Sequence, residues 1–209
     1  EDENITHVSG AVSPRSDVEI IELELILSDL DQVDKRLQNL SKKKKSGDKE
    51  ALEQSAVLER VYDLLKDGKP ASAAGLNEEE KELIKDLALL SLKPVLFIGN
   101  IDESLLAKPE DSPQFRELVA LAHERGAQAI PLSGKIEAEL GQLSPEEERE
   151  FLKDLGLTEP GLNRVIREAY TLLGYITFFT AGEVEVRAWN IVRGATAPQA
   201  AGTIHSDIE

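Results

Sequence analysis

The feature that most constrains the fold is a heptad pattern of apolar residues in the first third of the chain. Its apolar positions are alternately three and four residues apart, which places them along one side of an α-helix. They are Leu23, Ile26, Leu30, Val33, Leu37 and Leu40. The same spacing returns in a second run, at Ala51, Ser55, Leu58, Tyr62 and Leu65. Two such helices bury their apolar sides by packing against each other.

A short polar segment, residues 41–48, separates the two runs, and Gly47 within it allows the chain to turn. A connection this short makes consecutive helices antiparallel. We therefore predict a helical coiled-coil hairpin over residues 16–68. The tip of this hairpin carries four consecutive lysines, Lys42, Lys43, Lys44 and Lys45.

The lysine-rich tip is an exception in an acidic chain. The sequence has 40 Asp and Glu against 24 Lys and Arg, a net charge of −16. This balance argues against a protein that coats nucleic acid with its whole surface, so any such contact must be local. Lys42 to Lys45 could contact RNA phosphates, although a solvated turn explains them equally well.

The absence of cysteine and of long apolar runs limits the class of protein further. Without cysteine there are no disulfides or thiolate metal sites, and no histidine has the spacing of a metal ligand. No apolar stretch approaches the length of a membrane span. We expect a cytoplasmic, monomeric protein with no metal site of its own and no membrane contact.

A strand, a helix and a second strand are predicted in the middle of the chain. Residues 94–99 and 127–132 are short continuous apolar runs, typical of strands buried on both faces. Between them, a helix over residues 111–125 has Pro113 in its first turn and Gly126 after its end. This order predicts a right-handed parallel crossover.

Further helices and a β-hairpin are predicted around this unit. One helix is expected from Asn77 to about Ser91, and others over residues 144–155 and 162–173. From Ile176 onward the sequence is rich in β-branched and aromatic residues, which predicts a β-hairpin extending to Val192. Two strands cannot bury a sheet face alone, so we expect this last unit to be incomplete.

Polar residues directly follow each of the two parallel strands. Asn100-Ile101-Asp102-Glu103 comes after the first strand, and Ser133-Gly134-Lys135 comes after the second. Ligands of open α/β sheets bind beyond the carboxyl ends of the strands, so we expect both segments to face one ligand. An asparagine offers a donor and an acceptor side by side, which suits the edge of a purine base. Polar residues after a buried strand are also common without any ligand.

Longer strings around these loops resemble the YchF, or Obg-like ATPase, family. Residues 93–103, KPVLFIGNIDE, are similar to the base-recognition segment of that family. Residues 133–140, SGKIEAEL, are similar to the loop that follows on the base side. The resemblance continues over residues 5–10, 17–21, 161–166, 178–182, 185–189 and 197–207, so it covers essentially the whole chain.

The resemblance implies an α/β P-loop NTPase with a partial parallel sheet, an inserted antiparallel α-helical coiled-coil hairpin and a partial β-grasp (TGS) domain. It assigns residues 1–15 and 69–143 to the nucleotide-binding domain, 16–68 to the hairpin, 144–173 to connecting helices and 174–209 to the TGS domain. The motif Gly-x-x-x-x-Gly-Lys-Ser/Thr is absent from the sequence. We therefore expect a fragment that lacks the phosphate-binding loop and the end of the TGS domain and does not hydrolyse nucleotide alone.

The resemblance also implies an ATP-preferring hydrolase of the ribosome and of translation or stress regulation, with GTP as a possible ligand and Mg²⁺ held by residues outside this chain. The implied base-binding residues are Asn100, Ile101, Glu103, Ser133 and Gly134. Asn100 would read the purine edge, Ile101 would contact the base, and Ser133 and Gly134 would close over it. The alternative is a non-catalytic coiled-coil and TGS adaptor that binds RNA or protein.

The last residue of the base-reading motif is the implied source of the ATP preference. Ordinary GTPases end this motif in aspartate, whose carboxylate accepts hydrogen bonds from guanine. Glu103 has one more methylene, which displaces the carboxylate by about 1.5 Å and disturbs a paired hydrogen bond.

Overall fold

The computed structural model describes residues 13–205, which belong to two compact units divided after Pro94. The described part of one unit is residues 13–94, and that of the other is residues 95–205. Residues 1–12 and 206–209 of the predicted domains lie outside the described residues. The similarity noted at residues 5–10 lies outside them as well.

The first unit is built on two long helices, α1 (Pro14–Lys45) and α2 (Lys49–Lys66). α1 begins at Pro14, and the hydroxyl of Ser13 accepts from the Ser16 N–H at its start. Gly47 has a φ of 79°, in the left-handed region that glycine adopts without strain, and it lies in the turn between the helices. Asp48 then caps α2 by accepting from the Ala51 N–H at 3.2 Å. Both predicted helices are therefore present, joined by a tight turn.

Most predicted seam residues lie in the core that the two helices share. Ile26, Val33, Leu40, Ala51, Ser55, Leu58 and Leu65 are buried, and Leu30, Leu37 and Tyr62 are half-buried against them. Leu23 is an exception, because 50% of its surface is exposed. α1 has 32 residues and α2 only 18, so the N-terminal turns of α1 extend beyond the length that α2 can cover.

Residues 69–94 pack on the hairpin, whereas the resemblance to the YchF family assigned residues 69–143 to the nucleotide-binding domain. The predicted helix from Asn77 to Ser91 is also shorter than expected. α3 (Glu78–Ile84) is followed by two short 3₁₀ turns, and Ala88 between them has a φ of 48°. The helix breaks because the buried carboxylate of Asp29 accepts from the Leu90 and Ser91 amides, at 2.8 and 2.7 Å.

In the second unit, β1 (Leu96–Asn100) pairs in parallel with β2 (Gln128–Leu132), and α4 (Pro113–Glu124) connects them. The predicted strand, helix and parallel strand are thus present. The expectation that β1 is buried on both faces is wrong for this chain, because Ile98 is 48% exposed. The sheet of which β1 is part has two strands among the described residues, too few to cover both faces.

The rest of the second unit consists of four helices and a β-hairpin. The elements are α5 (Gly134–Leu140), α6 (Pro145–Asp154), α7 (Gly161–Leu172), β3 (Tyr175–Ala181), β4 (Val186–Val192) and α8 (Ala197–Ile204). β3 and β4 are antiparallel, with Phe178 opposite Trp189. The predicted hairpin and the helices before it are therefore present.

Candidate functional site

The ends of β1 and β2 lie side by side. In the parallel register Asn100, the last residue of β1, is opposite Leu132, the last residue of β2. The ladder continues one step further, because the Ile101 N–H donates to the Leu132 carbonyl oxygen at 2.8 Å. The segments that follow, residues 100–103 and 133–135, therefore begin at the same edge of the sheet. We call these two segments the strand-end loops.

Asn100 joins the strand-end loops directly. Its Oδ1 accepts from the Gly134 N–H at 3.0 Å, at the first residue of α5. The side chain is exposed, and its Nδ2 makes no hydrogen bond to any of residues 13–205. A backbone N–H requires an acceptor, which orients the amide and leaves Nδ2 as a donor toward solvent. Such a donor suits the N7 acceptor that both purine bases carry.

A second contact between the strand-end loops is an ion pair. The Lys135 ammonium donates to Glu103 Oε2 at 2.8 Å, with 66% and 42% of the two side chains exposed. The hydrogen bond to Glu103 and the charge of that carboxylate raise the pKa of Lys135 above its usual range. Lys135 has no role among the residues predicted from the sequence, although its position directly after Gly134 was a usable signal.

Glu103 is positioned by its neighbour Asp102. The Asp102 carboxylate accepts from the Ser104 hydroxyl at 2.6 Å and from the Ser104 N–H at 2.9 Å. The Ser104 hydroxyl is the main reason that the pKa of Asp102 is lowered, and the Ser104 amide adds to the effect. Asp102 thereby caps the short 3₁₀ turn of residues 103–105, which begins with Glu103. The turn presents the Glu103 carboxylate on the side facing Lys135.

Of the three remaining predicted base-binding residues, Ile101 and Ser133 are buried. Ile101 exposes 5% of its surface and Ser133 exposes 4%, whereas Gly134 is exposed. Both buried residues adjoin the hydrogen bonds that hold the loops together. The predicted contact of Ile101 with a base stays a prediction, and little of its side chain is accessible for it.

Glu137, which sequence reasoning missed, ties α5 to α7. Its carboxylate accepts from the Gly161 N–H at 2.8 Å and from the Leu162 N–H at 3.1 Å. These amides are at the start of α7, where a carboxylate favourably meets the helix dipole. A Cβ at Gly161 would lie 2.8 Å from Glu137 Oε1, so a larger residue at this position would require the Glu137 carboxylate to shift.

The lysines of the hairpin tip are not equivalent. The Lys44 ammonium donates to Glu59 Oε1 at 2.7 Å and to Ser55 Oγ at 2.9 Å, so it faces α2. The Ser55 hydroxyl also donates to Glu59 Oε1. The hydrogen bond from Lys44 is the main reason that the pKa of Glu59 is lowered, and the hydrogen bond from Ser55 is the second. Lys42, Lys43 and Lys45 are exposed and form no ion pair with residues 13–205. Three ammonium groups of the tip are therefore available to a partner.

Between residues 13 and 205 no group of His, Asp and Glu side chains is arranged to hold a metal ion. Over the same range no helix combines the length and the apolar character that crossing a membrane requires.

Comparison with known proteins identifies the family. The chain is 46% identical, over all 209 of its residues, to the ribosome-binding ATPase YchF of Escherichia coli O157:H7. It is 43% identical over 208 residues to the ribosome-binding ATPase YchF of Bacillus subtilis (strain 168). The chain belongs to the YchF family. A family model named YchF-GTPase_C, described as "Protein of unknown function (DUF933)", matches residues 175–209.

The fold is that of a YchF-family protein over the same stretch. The solved structure of the Schizosaccharomyces pombe YchF GTPase superposes on 99% of this chain with a TM-score of 0.80 at 34% identity. The match covers 56% of that chain. This chain likewise spans 57% of the length of each of the two bacterial relatives. The names of these relatives, which refer to ATPase or GTPase activity and to ribosome binding, therefore describe longer proteins.

Proposed function

We propose that the full-length protein is an ATP-preferring P-loop nucleotide hydrolase associated with the ribosome, and that this chain supplies its purine-reading groups. The observation that carries the proposal is the pair of strand-end loops joined by the hydrogen bond between Asn100 Oδ1 and the Gly134 N–H. That bond leaves a directed Asn100 donor at the edge of a parallel sheet, where α/β proteins bind nucleotides.

Each residue of the base site has a proposed role. Asn100 Nδ2 donates to N7 of the purine, and Gly134 holds the asparagine amide in that orientation. Glu103 faces the far edge of the base, where its extra methylene relative to aspartate disfavours guanine. Ile101 contacts the base with the small part of its side chain that is accessible, and Ser133 and Gly134 close over the base. The phosphate-binding loop and the groups that hold Mg²⁺ belong to parts of the protein outside these 209 residues.

The wider architecture and setting are part of the same proposal. Residues 1–15 and 69–143 would belong to the nucleotide-binding domain, 16–68 to a coiled-coil insert, 144–173 to the connection and 174–209 to a TGS domain. Among the described residues, those from 69 to 94 pack on the hairpin and belong to the same compact unit as it does. The names of the relatives support the ribosome as the partner and ATP, with GTP as an alternative, as the ligand. A ribosomal partner would place the protein in the cytoplasm.

Asn100→Asp tests the base-reading role with little disturbance of the loop. Aspartate keeps an oxygen for the Gly134 N–H and removes the donor that would meet N7. Because both purines carry N7, we expect the affinities for ATP and GTP to fall together, by about 10- to 100-fold. Isothermal titration of the full-length protein with each nucleotide measures this.

A matched substitution, Asn163→Asp on α7, controls for the added negative charge and should leave both affinities unchanged. If the Asn100→Asp protein bound ATP as tightly as the parent, Asn100 would not read the base. If the parent bound neither nucleotide, a non-catalytic adaptor would be the better description.

A further inference from the structure

In the Lys135–Glu103 ion pair, the lysine holds the carboxylate at the motif position that distinguishes guanine from adenine in ordinary GTPases. Glu103 stands at the end of the base-reading motif, and its Oε2 is held by the Lys135 ammonium at 2.8 Å. Asp102 and Ser104 fix the turn from which Glu103 projects, and the Asn100–Gly134 bond fixes the start of α5 from which Lys135 projects. The pair is therefore anchored on both sides by hydrogen bonds outside itself.

The two purines respond differently to a carboxylate at this edge. Guanine presents N–H donors at N1 and N2, which a free carboxylate accepts in charge-assisted hydrogen bonds. Adenine presents an unprotonated N1, an acceptor, which a free carboxylate repels. An ammonium bound to Glu103 Oε2 offsets the charge of the carboxylate and occupies one of its acceptor sites, so it weakens the attraction for guanine and the repulsion of adenine together.

We propose that Lys135 is a specificity-determining residue of this base site, which shifts the preference from guanine toward adenine by holding the Glu103 carboxylate. The inference rests on the proposed nucleotide function and adds a second cause of the ATP preference to the length of the Glu103 side chain. Lys135 acts through Glu103 and need not touch the nucleotide. Glu103 and Asn100 would therefore contribute differently: N7, the proposed partner of Asn100, is an acceptor in both purines, whereas N1 carries a proton in guanine and none in adenine.

Lys135→Met is the decisive substitution. Methionine retains a flexible chain of similar length without the ammonium, so the Glu103 carboxylate becomes free to accept from guanine. We expect the ratio of ATP affinity to GTP affinity to fall about tenfold, the effect of one gained charge-assisted hydrogen bond. The readout is isothermal titration of the full-length protein with ATP and with GTP.

Three further variants separate this mechanism from a structural role. Lys135→Arg keeps a cation on Glu103 and should retain the parent ratio. In a Glu103→Gln background, Lys135→Met should change the ratio no further, since there is no carboxylate to release. Lys153→Met on α6 removes an exposed lysine outside the strand-end loops and should have no effect.

The results that would overturn the role of Lys135 differ from those that would overturn the proposed function. An unchanged ratio in Lys135→Met, with the parent still binding ATP and Asn100→Asp still weakening it, would overturn the role of Lys135 alone. An equal change in the presence and absence of the Glu103 carboxylate would also overturn it, because Lys135 would then act directly on the nucleotide. Loss of all nucleotide binding in the parent would instead reject the base site as a whole.

Discussion

At the scale of single residues, Asp29 joins α1 to the segment that follows α3. Its side chain is fully buried on α1, and its two oxygens accept from the Leu90 N–H, the Ser91 N–H and the Ser91 hydroxyl. Ser91 Oγ also accepts from the Ala71 N–H at 3.0 Å, which brings the chain after α2 into the same network. A buried carboxylate is tolerated when its oxygens are satisfied in this way.

Replacing Asp29 with alanine should release the segment that leads from α3 to Pro94. The substitution leaves two backbone donors and one hydroxyl without their acceptor, which costs roughly 2–4 kcal/mol of local stability. Hydrogen exchange of the full-length protein should show lost protection at the Leu90 and Ser91 amides. Asp31→Asn on the same helix is the matched control, because Asp31 is exposed and, within residues 13–205, pairs only with Lys35. Unchanged protection in Asp29→Ala would mean that apolar packing alone holds the segment.

At the scale of elements, the hairpin tip is organised by one polar position in the seam. Ser55 is buried among the apolar residues of α2, and its hydroxyl donates to Glu59 Oε1 at 3.0 Å while accepting from Lys44. A polar group in such a seam favours the one helix register that satisfies it. The Lys44–Glu59–Ser55 cluster therefore specifies how α1 meets α2 beside the turn.

The pH dependence of the tip follows from the lowered pKa of Glu59. A carboxyl group whose pKa is lower in the folded than in the unfolded state stabilises the fold above its ordinary pKa of about 4.3. This contribution should fade as the pH falls below that value and disappear below the folded-state pKa. Hydrogen exchange at the Ala51 and Ser55 amides, followed down the pH scale and corrected for intrinsic exchange, measures it.

Lys44→Met should reduce this pH dependence, because the strongest cause of the Glu59 shift is the Lys44 hydrogen bond. Lys43→Met, which removes a neighbouring cation with no partner in α2, should leave the pH profile unchanged. Identical profiles in the parent and in Lys44→Met would show that the cluster does not titrate with folding.

At the scale of the whole molecule, the tip is a basic spot on a chain of net charge −16. An acidic protein can approach an RNA surface only through such a spot, since the remaining surface is repelled. Because Lys44 is engaged by Glu59, the available cations are Lys42, Lys43 and Lys45. The proposed ribosome contact therefore rests on three lysines rather than four.

Charge reversal of Lys42, Lys43 and Lys45 to glutamate should weaken ribosome binding by the full-length protein. Each lysine that contacts a phosphate adds about one to the slope of log affinity against log salt, so the slope should fall by up to about three. Sedimentation with ribosomes at several salt concentrations measures both quantities. Reversal of Lys69, Lys108 and Lys153 changes the net charge equally and should leave the slope intact. A tip variant with the parent's slope would place the contact elsewhere.

Several features of this protein follow from its sequence alone. The heptad spacing determined two helices with a tight turn at Gly47, because helical periodicity and turn chemistry are local properties. The apolar runs on either side of α4 determined a parallel crossover. They also brought Asn100 and Gly134 to the same sheet edge, since parallel strands share the direction of their carboxyl ends.

Tertiary structure alone decided the pairings between distant residues. Asp29 meets Ser91 across 62 positions, and this contact breaks the helix predicted through Ser91 and joins residues 69–94 to the hairpin. Lys135 meets Glu103 across 32 positions, and Lys44 turns inward to Glu59. Charged side chains carry no periodic signal of their partners, because a carboxylate accepts from whichever donor the packing of helices and strands places within about 3 Å.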